Sequence, residues 1–135
     1  MSNYILAAEY VADTVGLVLH LENRKSGAVA EQIFDSAANA ATIIHIPAMV
    51  FAEILYLSEK NRIAAILTDA LGLVKNSPNF KELAMNGDVI KSAAQITDIP
   101  ELHDRIISAS ARHLNIELIT NDSKIQSSNF VRTIW

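Results

Sequence analysis

The chain has 135 residues, 50% hydrophobic and 19% charged, which fits one globular domain and excludes a disordered chain. It has no cysteine, which excludes disulfide bonds, thiolate metal sites and a thiol nucleophile. The net charge of −4, from 11 basic and 15 acidic residues, argues against a protein that coats nucleic acid through bulk positive potential. It does not exclude an enzyme acting on nucleic acid, because a carboxylate cluster that holds cations also makes a chain acidic.

The chain shows neither a secretion signal nor a membrane span. The opening "MSNYILAAEY" lacks the basic segment of a signal peptide. The longest charge-free run, Ser36 to Ala52, is interrupted by Asn39, His45 and Pro47 and is too short to cross a membrane. We therefore expect a cytoplasmic protein.

The first part of the chain predicts two strands and three helices. "EYVAD" (Glu9–Asp13) is a short apolar run ending in an acid, typical of a strand. Helices are predicted over "TVGLVLHLE" and "SGAVAEQIFDSAANA", with Ser26 as a candidate N-cap of the second. The β-branched "TIIHI" (Thr42–Ile46) predicts a strand, and Pro47 suits the first turn of the helix "PAMVFAEILYLSEKN".

The rest of the chain continues the alternation of helices and strands. A helix is predicted over "RIAAILTDALGLVK", a strand over "NFKELAM" and a helix over "NGDVIKSAAQI". The helix "LHDRIISASARHL" precedes the strand "IELIT", and "FVRTIW" is the last strand. This order predicts an α/β fold with a mostly parallel sheet covered on both faces, in which functional residues lie beyond the carboxyl ends of the strands.

Two acidic residues in the first half occupy unusual positions. Asp13 ends the first strand and precedes a helix, where a helix N-cap is the alternative interpretation. Glu53 lies on or beside the apolar stripe formed by Val50, Ile54 and Leu57, whereas a solvated glutamate normally lies on the opposite face. A carboxylate in such a place needs a cation, a hydrogen-bond donor or a raised pKa.

Two further acidic residues lie where the chain changes element near the C-terminus. Asp104 is in the first turn of its helix, in register with Ile107 and Ala111. The helix dipole favours an anion there, so capping of the helix is the alternative interpretation. Asp122 follows the strand "IELIT", where a turn residue or an N-cap of "SKIQSS" is the alternative. His103 is interpreted as a surface residue outside the site.

Together, the four carboxylates are predicted to converge at one end of the sheet. Like charges at close range repel, so such a cluster needs a cation to offset them. Oxygen ligands without cysteine or paired histidine select Mg²⁺ or Mn²⁺ over zinc, and Mg²⁺ held in this way binds substrate phosphates. The chemistry indicated is phosphodiester hydrolysis.

These motifs resemble the PIN-domain ribonucleases, especially the VapC-like toxins of type II toxin–antitoxin pairs. The matching pieces are "YVADT", "IPAMVFAEILYLSEKNRI", "LHDRIISASARHLNIELITND" and "VRTIW", which occur in the family order over almost the whole chain. The resemblance implies a single domain over residues 1–135 with a three-layer α/β/α sandwich, Mg²⁺ or Mn²⁺ dependence, an RNA substrate, a homodimer and a small antitoxin partner. It places the family's acidic quartet on Asp13, Glu53, Asp104 and Asp122, and its accompanying hydroxyl groups on Thr14 and Thr120.

The expected mechanism is metal-assisted in-line hydrolysis. Asp13 and Asp104 would be the main metal ligands, directly or through water, and Glu53 and Asp122 would complete the shell, position a water or hold a second ion. Thr14 or Thr120 would orient a carboxylate or contact the phosphate. One departure from the family pattern concerns the residues after Asp-Thr: many relatives carry a polar residue there, whereas this chain has Val15 and Gly16, which predicts a weaker site or another donor.

Basic and apolar residues outside the quartet suggest where partners bind. Two apolar helical segments, Ala48–Leu57 and Ile63–Val74, are candidates for a dimer or antitoxin surface, with core packing as the alternative. Arg105 is expected to be structural or to contact a phosphate. The candidate basic residues at the rim of an RNA site are Arg24, Lys25, Lys60, Arg62, Arg105 and Lys124.

Other interpretations remain open at this point. The chain could be a PIN nuclease of RNA processing without an antitoxin, or a non-catalytic RNA-binding or scaffold module that retains the fold. A phosphatase of the haloacid dehalogenase type needs a second aspartate two residues after the first, and "VADTVG" has none. A receiver domain expects an acidic cluster after the first strand and an aspartate after the third, and neither is present.

Overall fold

The computed structural model describes residues 6–135, so the first part of the opening segment lies outside the described residues. Its centre is a sheet of five parallel strands in the order β3-β2-β1-β4-β5. The strands are β1 (Glu9–Ala12), β2 (Ile43–Pro47), β3 (Phe80–Leu83), β4 (Leu118–Ile119) and β5 (Thr133–Ile134). The order reverses between β1 and β4, which makes this boundary the place where ligands bind in open parallel sheets.

Seven helices connect the strands within the described residues. They are α1 (Thr14–Leu21), α2 (Ala28–Ala38), α3 (Ala48–Glu59), α4 (Leu67–Asn76), α5 (Gly87–Gln95), α6 (Leu102–Leu114) and α7 (Ser123–Gln126). They cover both sides of the sheet, so the predicted α/β/α architecture with a mostly parallel sheet is confirmed. No helix between residues 6 and 135 is both long and apolar enough to span a membrane.

Burial along the strands shows why helices are needed on both faces. Tyr10, Val11 and Ala12 of β1 are completely buried, as are Leu118 and Ile119 of β4. Since successive strand residues point to opposite faces, burial of consecutive side chains requires a layer of helices on each side. The two central strands are therefore rigidly enclosed, and the residues that follow them are held in fixed positions.

Two helix starts differ from the sequence prediction. The N-cap of α2 is Gly27 rather than Ser26, whose N–H donates instead to the Glu31 carboxylate at 3.0 Å. The predicted helix from Arg62 is wrong in its first turn, because α4 begins only at Leu67. Over that stretch the Glu22 carboxylate accepts hydrogen bonds from the N–H groups of Ala64 and Ala65 at 2.9 and 3.0 Å, which holds the backbone in a loop.

Candidate active site

Asp13 lies directly after β1 and caps α1. Its Oδ1 accepts a hydrogen bond from the Gly16 N–H at 2.8 Å, and the residue is only 6% exposed. Burial raises the pKa of Asp13 to about 6, the charges of Asp122 and Glu53 act in the same direction, and hydrogen bonds from Thr120 and Gly16 partly offset them. Asp13 is therefore both the N-cap of α1 and a member of the acidic cluster.

Gly16 fits this arrangement because it has no side chain. A Cβ at residue 16 would lie 3.1 Å from Asp13 Oδ1 and 3.6 Å from Ile119 Cγ2. That approach to a carboxylate oxygen is tighter than most real Cβ contacts. The glycine that stands here, where many relatives of the resembled family carry a polar residue nearby, thus allows the backbone to pack closely against Asp13.

Glu53 reaches the same region from α3. The Thr14 hydroxyl donates a hydrogen bond to Glu53 Oε1, which ties the first residue of α1 to the middle of α3. The Glu53 side chain is 25% exposed, and His103 Nδ1 lies 3.6 Å from its other oxygen. The prediction that Glu53 lies beside an inward face is confirmed, since its neighbours Val50 and Ile54 are completely buried.

Asp104 lies in the first turn of α6 but is not its cap. Glu101 is the N-cap and accepts hydrogen bonds from the N–H groups of His103 and Asp104 at 3.1 and 2.8 Å. The pKa of Asp104 is raised to about 6, first by burial and then by the negative charges of Glu101, Asp122 and Glu53. The nearby His103 lowers this pKa in part.

Asp122 follows β4 and caps the short helix α7. Its Oδ1 accepts hydrogen bonds from the N–H groups of Lys124 and Ile125 at 2.8 and 3.2 Å. The completely buried Thr120 links it to Asp13, since the Thr120 hydroxyl accepts from the Asp122 N–H at 3.1 Å and hydrogen-bonds the Asp13 side chain. Asp13 and Thr120 are adjacent because the residues before them, Ala12 of β1 and Ile119 of β4, are paired in the sheet.

One cavity of about 230 Å³ brings the four carboxylates together at the boundary between β1 and β4. Thr14, Val15 and Asn121 also line it. A second cavity of about 270 Å³ adjoins it, because Asp104 and Asp122 line both, and Glu101 and Lys124 line the second one. The acidic residues predicted to converge are therefore neighbours in the structure.

The donor set fits a hard divalent cation that retains water. Within residues 6–135 no three histidine, aspartate or glutamate side chains are close enough to hold an ion directly among them. Mg²⁺ commonly binds through one or two carboxylates and keeps several waters, which relaxes the distance requirement on the remaining ligands. Burial is the main cause of the raised pKa values of Asp13 and Asp104, and the negative charges of Asp122 and Glu53 add to it, so a nearby cation would stabilise the charged form of both groups.

The candidate basic residues divide into those beside the cavity and those elsewhere. Lys124 lines the adjoining cavity. Arg105 donates from Nε to the Ile99 carbonyl at 2.8 Å, which gives it a structural contact. Arg24 is paired with Glu22 at 3.2 Å and, with Lys25, lines a different cavity of about 320 Å³.

Two residues of the site were missed by sequence reasoning. Glu101 was overlooked because glutamate is an uncommon N-cap, although it precedes the first helical residue. His103 was interpreted as a surface residue, and its ring is indeed about half exposed, but its proximity to Glu53 joins α6 to α3. That contact connects residues 50 positions apart in the numbering, and no local pattern signals it.

The structure is an open parallel α/β domain with an acidic pocket at the point where the strand order reverses. Comparison with known proteins identifies the family of this domain. The family model of the PIN domain matches residues 10–130. The chain therefore belongs to the PIN domain family. None of the curated proteins compared with it matches.

Solved structures of toxin–antitoxin proteins share the fold. A chain of VapBC2 from Rickettsia felis, bound to a DNA fragment from their promoter, aligns with a TM-score of 0.70 at 15% identity, over 94% of this chain and 98% of that one. For DNA-bound VapBC from Salmonella typhimurium the TM-score is 0.68 at 15% identity, with 95% and 98% covered. VapC20 of Mycobacterium tuberculosis, a Sarcin-Ricin loop cleaving toxin, gives 0.63 at 15% identity, with 90% and 96% covered.

Proposed function

We propose that this protein is a Mg²⁺- or Mn²⁺-dependent endoribonuclease and the toxin of a toxin–antitoxin pair in the cytoplasm. The observation that carries the proposal is the convergence of Asp13, Glu53, Asp104 and Asp122 on one cavity. Two of these carboxyl groups have pKa values raised to about 6, as in a cluster that is incomplete without a cation. Membership of the PIN domain family supports nuclease chemistry.

The residues of the cavity have distinct roles in the proposed reaction. Asp13 and Asp104 would hold the cation directly or through water, and Asp122 and Glu53 would complete its surroundings. Thr14 orients Glu53, and Thr120 orients Asp13. A bound divalent ion lowers the pKa of a coordinated water and neutralises charge that builds on the phosphate. Lys124, in the adjoining cavity, is placed to contact an RNA phosphate.

The test is cleavage of a panel of structured and single-stranded RNAs. We expect cleavage with Mg²⁺ or Mn²⁺, none in EDTA, and a loss of at least a hundred-fold in Asp104→Asn, as for removal of a group that stabilises the transition state. Lys91→Gln is the control, because Lys91 is an exposed residue of α5 and lines neither of the two acidic cavities. Unchanged cleavage in EDTA, or none with any metal and any RNA, contradicts the proposal.

The toxin role needs an antitoxin and rests on the shared fold. VapBC complexes from two bacteria have this fold, as does FitAcB from Neisseria gonorrhoeae at a TM-score of 0.63 and 17% identity over 93% of this chain and 96% of that one. Three exposed apolar side chains offer surface for a homodimer and for an antitoxin: Leu55 on α3, Ile66 at the N-cap of α4, and Leu71 on α4. Light scattering and co-purification with the product of the neighbouring gene test this part. A monomer with no such partner would instead favour a nuclease of RNA processing.

A non-catalytic RNA-binding module is the second candidate. Val15 favours it, because an apolar side chain lines the acidic cavity where many relatives of the resembled family carry a polar one. RNA binding without cleavage in the assay above would select this candidate.

A further inference from the structure

A groove outside the acidic cavity lies between α3 and the start of α6. It has a volume of about 620 Å³ and is lined by Met49, Ala52, Glu53, Tyr56, Leu57 and His103. We call it the α3–α6 groove. Five of these residues lie on one face of α3 at helical spacings of three and four, and His103 of α6 forms the other wall.

The α3–α6 groove is largely apolar and carries an exposed aromatic ring. Tyr56 is 54% exposed, although its neighbours on the inward side of α3 are completely buried. The side chain of His103 is 52% exposed. The groove therefore combines two ring side chains, each about half exposed, with the apolar side chains of Met49, Ala52 and Leu57, a composition suited to a planar partner.

The α3–α6 groove is continuous with the acidic cavity. Glu53 and Leu57 line both of them, so a molecule bound at the carboxylates passes directly into the groove. An RNA strand held with one phosphate at the carboxylates must place a neighbouring nucleoside within reach. The apolar wall does not suit a phosphate, whereas a base presents a π face that stacks on aromatic rings.

Charge along the groove also fits a nucleic acid strand. Lys60 Nζ lies 5.7 Å from the centroid of the Tyr56 ring. It is seven residues beyond Glu53, or about 10 Å along the helix axis at about 1.5 Å per residue. The groove therefore leads from the acidic cavity to Tyr56, and Lys60, whose ammonium group lies over the Tyr56 ring, supplies a positive charge beside it for the next phosphate.

We propose that the α3–α6 groove is a nucleobase subsite in which Tyr56 stacks on the base of a nucleotide adjacent to the scissile phosphate. This inference rests on the proposed nuclease function and adds a residue that determines which flanking nucleotide is bound. Tyr56 acts through its ring, so a phenylalanine at this position keeps the subsite and an alanine removes it. Stacking of one base corresponds to an effect on the order of ten-fold.

The experiment combines protein variants with RNAs that lack single bases. Wild type, Tyr56→Ala, Tyr56→Phe and Ile90→Ala are compared on a cleaved RNA and on copies with one abasic ribose at each position around the cleaved bond. Ile90 is the matched control, because it is 45% exposed on α5 and lies outside both the groove and the apolar segments that are candidates for a dimer or antitoxin surface. Thermal melts check that the variants are folded.

We expect the loss of activity caused by Tyr56→Ala and the loss caused by one missing base not to add. Tyr56→Ala lowers kcat/KM on intact RNA about ten-fold, one abasic position lowers it similarly for wild type, and the two changes together cost little more than either alone. Tyr56→Phe and Ile90→Ala behave as wild type. An equal loss on intact RNA and on every abasic RNA, or no loss, overturns the subsite.

Binding separates failure of the subsite from failure of the nuclease function. Fluorescence anisotropy of the same RNAs in Ca²⁺ measures affinity without requiring hydrolysis. If wild type cleaves no RNA, the proposed function fails, and the subsite stands only if Tyr56→Ala weakens binding of intact RNA but not of one abasic copy. A change of oligomeric state in Tyr56→Ala with no dependence on abasic positions assigns the groove to a second copy of the chain and overturns the proposal.

Discussion

The Thr14 hydroxyl donates a hydrogen bond to Glu53 Oε1 and thereby connects the end of β1 to the middle of α3. Thr14 is 8% exposed, so the bond is largely shielded from water. It fixes a carboxylate that would otherwise turn away from three like charges. Thr14, which the resemblance to the family marked as an accompanying hydroxyl group, thus has Glu53 as its hydrogen-bond partner.

Replacing Thr14 with valine tests this positioning. The bond to a charged acceptor is worth about 1.5–3 kcal/mol, and its loss frees Glu53 to move. We expect Thr14→Val to lower kcat/KM for RNA by about ten-fold or more, with Thr14→Ser close to wild type. Cleavage kinetics at saturating and limiting Mg²⁺ provide the measurement. Equal activity of the valine and serine variants would show that the bond has no role in catalysis.

Gly16 gives a second prediction. In Gly16→Ala the new Cβ would lie 3.1 Å from Asp13 Oδ1, so the carboxylate or the helix start must shift. We expect weaker Mg²⁺ binding and slower cleavage despite the better helix propensity of alanine. Gly72→Ala is the control, because nothing lies within 4 Å of its Cβ and the change should stabilise α4 by about 0.5–1 kcal/mol. Titration calorimetry with Mn²⁺ measures the metal affinity of both variants, and thermal melts measure their stability. Unaltered Mn²⁺ affinity in Gly16→Ala would contradict the close packing of residue 16 against Asp13.

The pH dependence of stability gives a third prediction. The pKa of Asp13 rises from 3.8 unfolded to about 6 in the folded protein, so the folded state binds more protons between these values. Stability of the metal-free protein should therefore fall as pH rises from about 4 to 6 and then become level with respect to this group. At about 1.4 kcal/mol per pKa unit, the contribution of Asp13 is at most about 3 kcal/mol.

The variant Asp13→Asn isolates that contribution. Burial lowers the pKa of His20, so this group makes stability rise with pH and opposes the Asp13 effect, whereas Asp104, whose pKa is also raised to about 6, acts in the same direction as Asp13. Subtracting the urea-unfolding profile of Asp13→Asn from that of wild type, both in EDTA, removes the His20 contribution. A difference profile that is flat from pH 4 to 7 would mean that Asp13 has an ordinary pKa.

Sequence patterns were sufficient to predict the fold and the convergence of the acidic residues at one end of the sheet. Strand–helix alternation indicated the parallel sheet, and acids after β1 and β4 had to meet because parallel strands end at a common edge. The start of α4 could not be foreseen, because a distant Glu22 carboxylate binds the loop before it. Contacts of this kind, like that between His103 and Glu53, arise only from packing between elements.

The resemblance to a known family added what the patterns could not. It singled out Thr14 and Thr120, whose hydroxyl groups have no periodicity that marks them. Local interpretation of Asp13 and Asp122 as helix caps was also correct, and the structure shows that a cap can belong to an acidic cluster. For Asp104 capping was the wrong alternative, because Glu101 performs it.

Thermal melting of wild type and Asp104→Ala, each with EDTA and with millimolar Mg²⁺, tests most directly whether the four carboxylates form a cation site. Because Glu101 caps α6, removing Asp104 deletes a carboxylate whose charged form is disfavoured by burial and by the acidic residues around it, so the metal-free variant should melt no lower than metal-free wild type. Mg²⁺ should stabilise only the wild type appreciably, by about 2.7 kcal/mol when free metal is 100 times its dissociation constant. The control Asn86→Ala removes the cap of α5, should cost about 0.5–2 kcal/mol, and should keep the full Mg²⁺ shift. Equal Mg²⁺ shifts in wild type and Asp104→Ala would contradict the account.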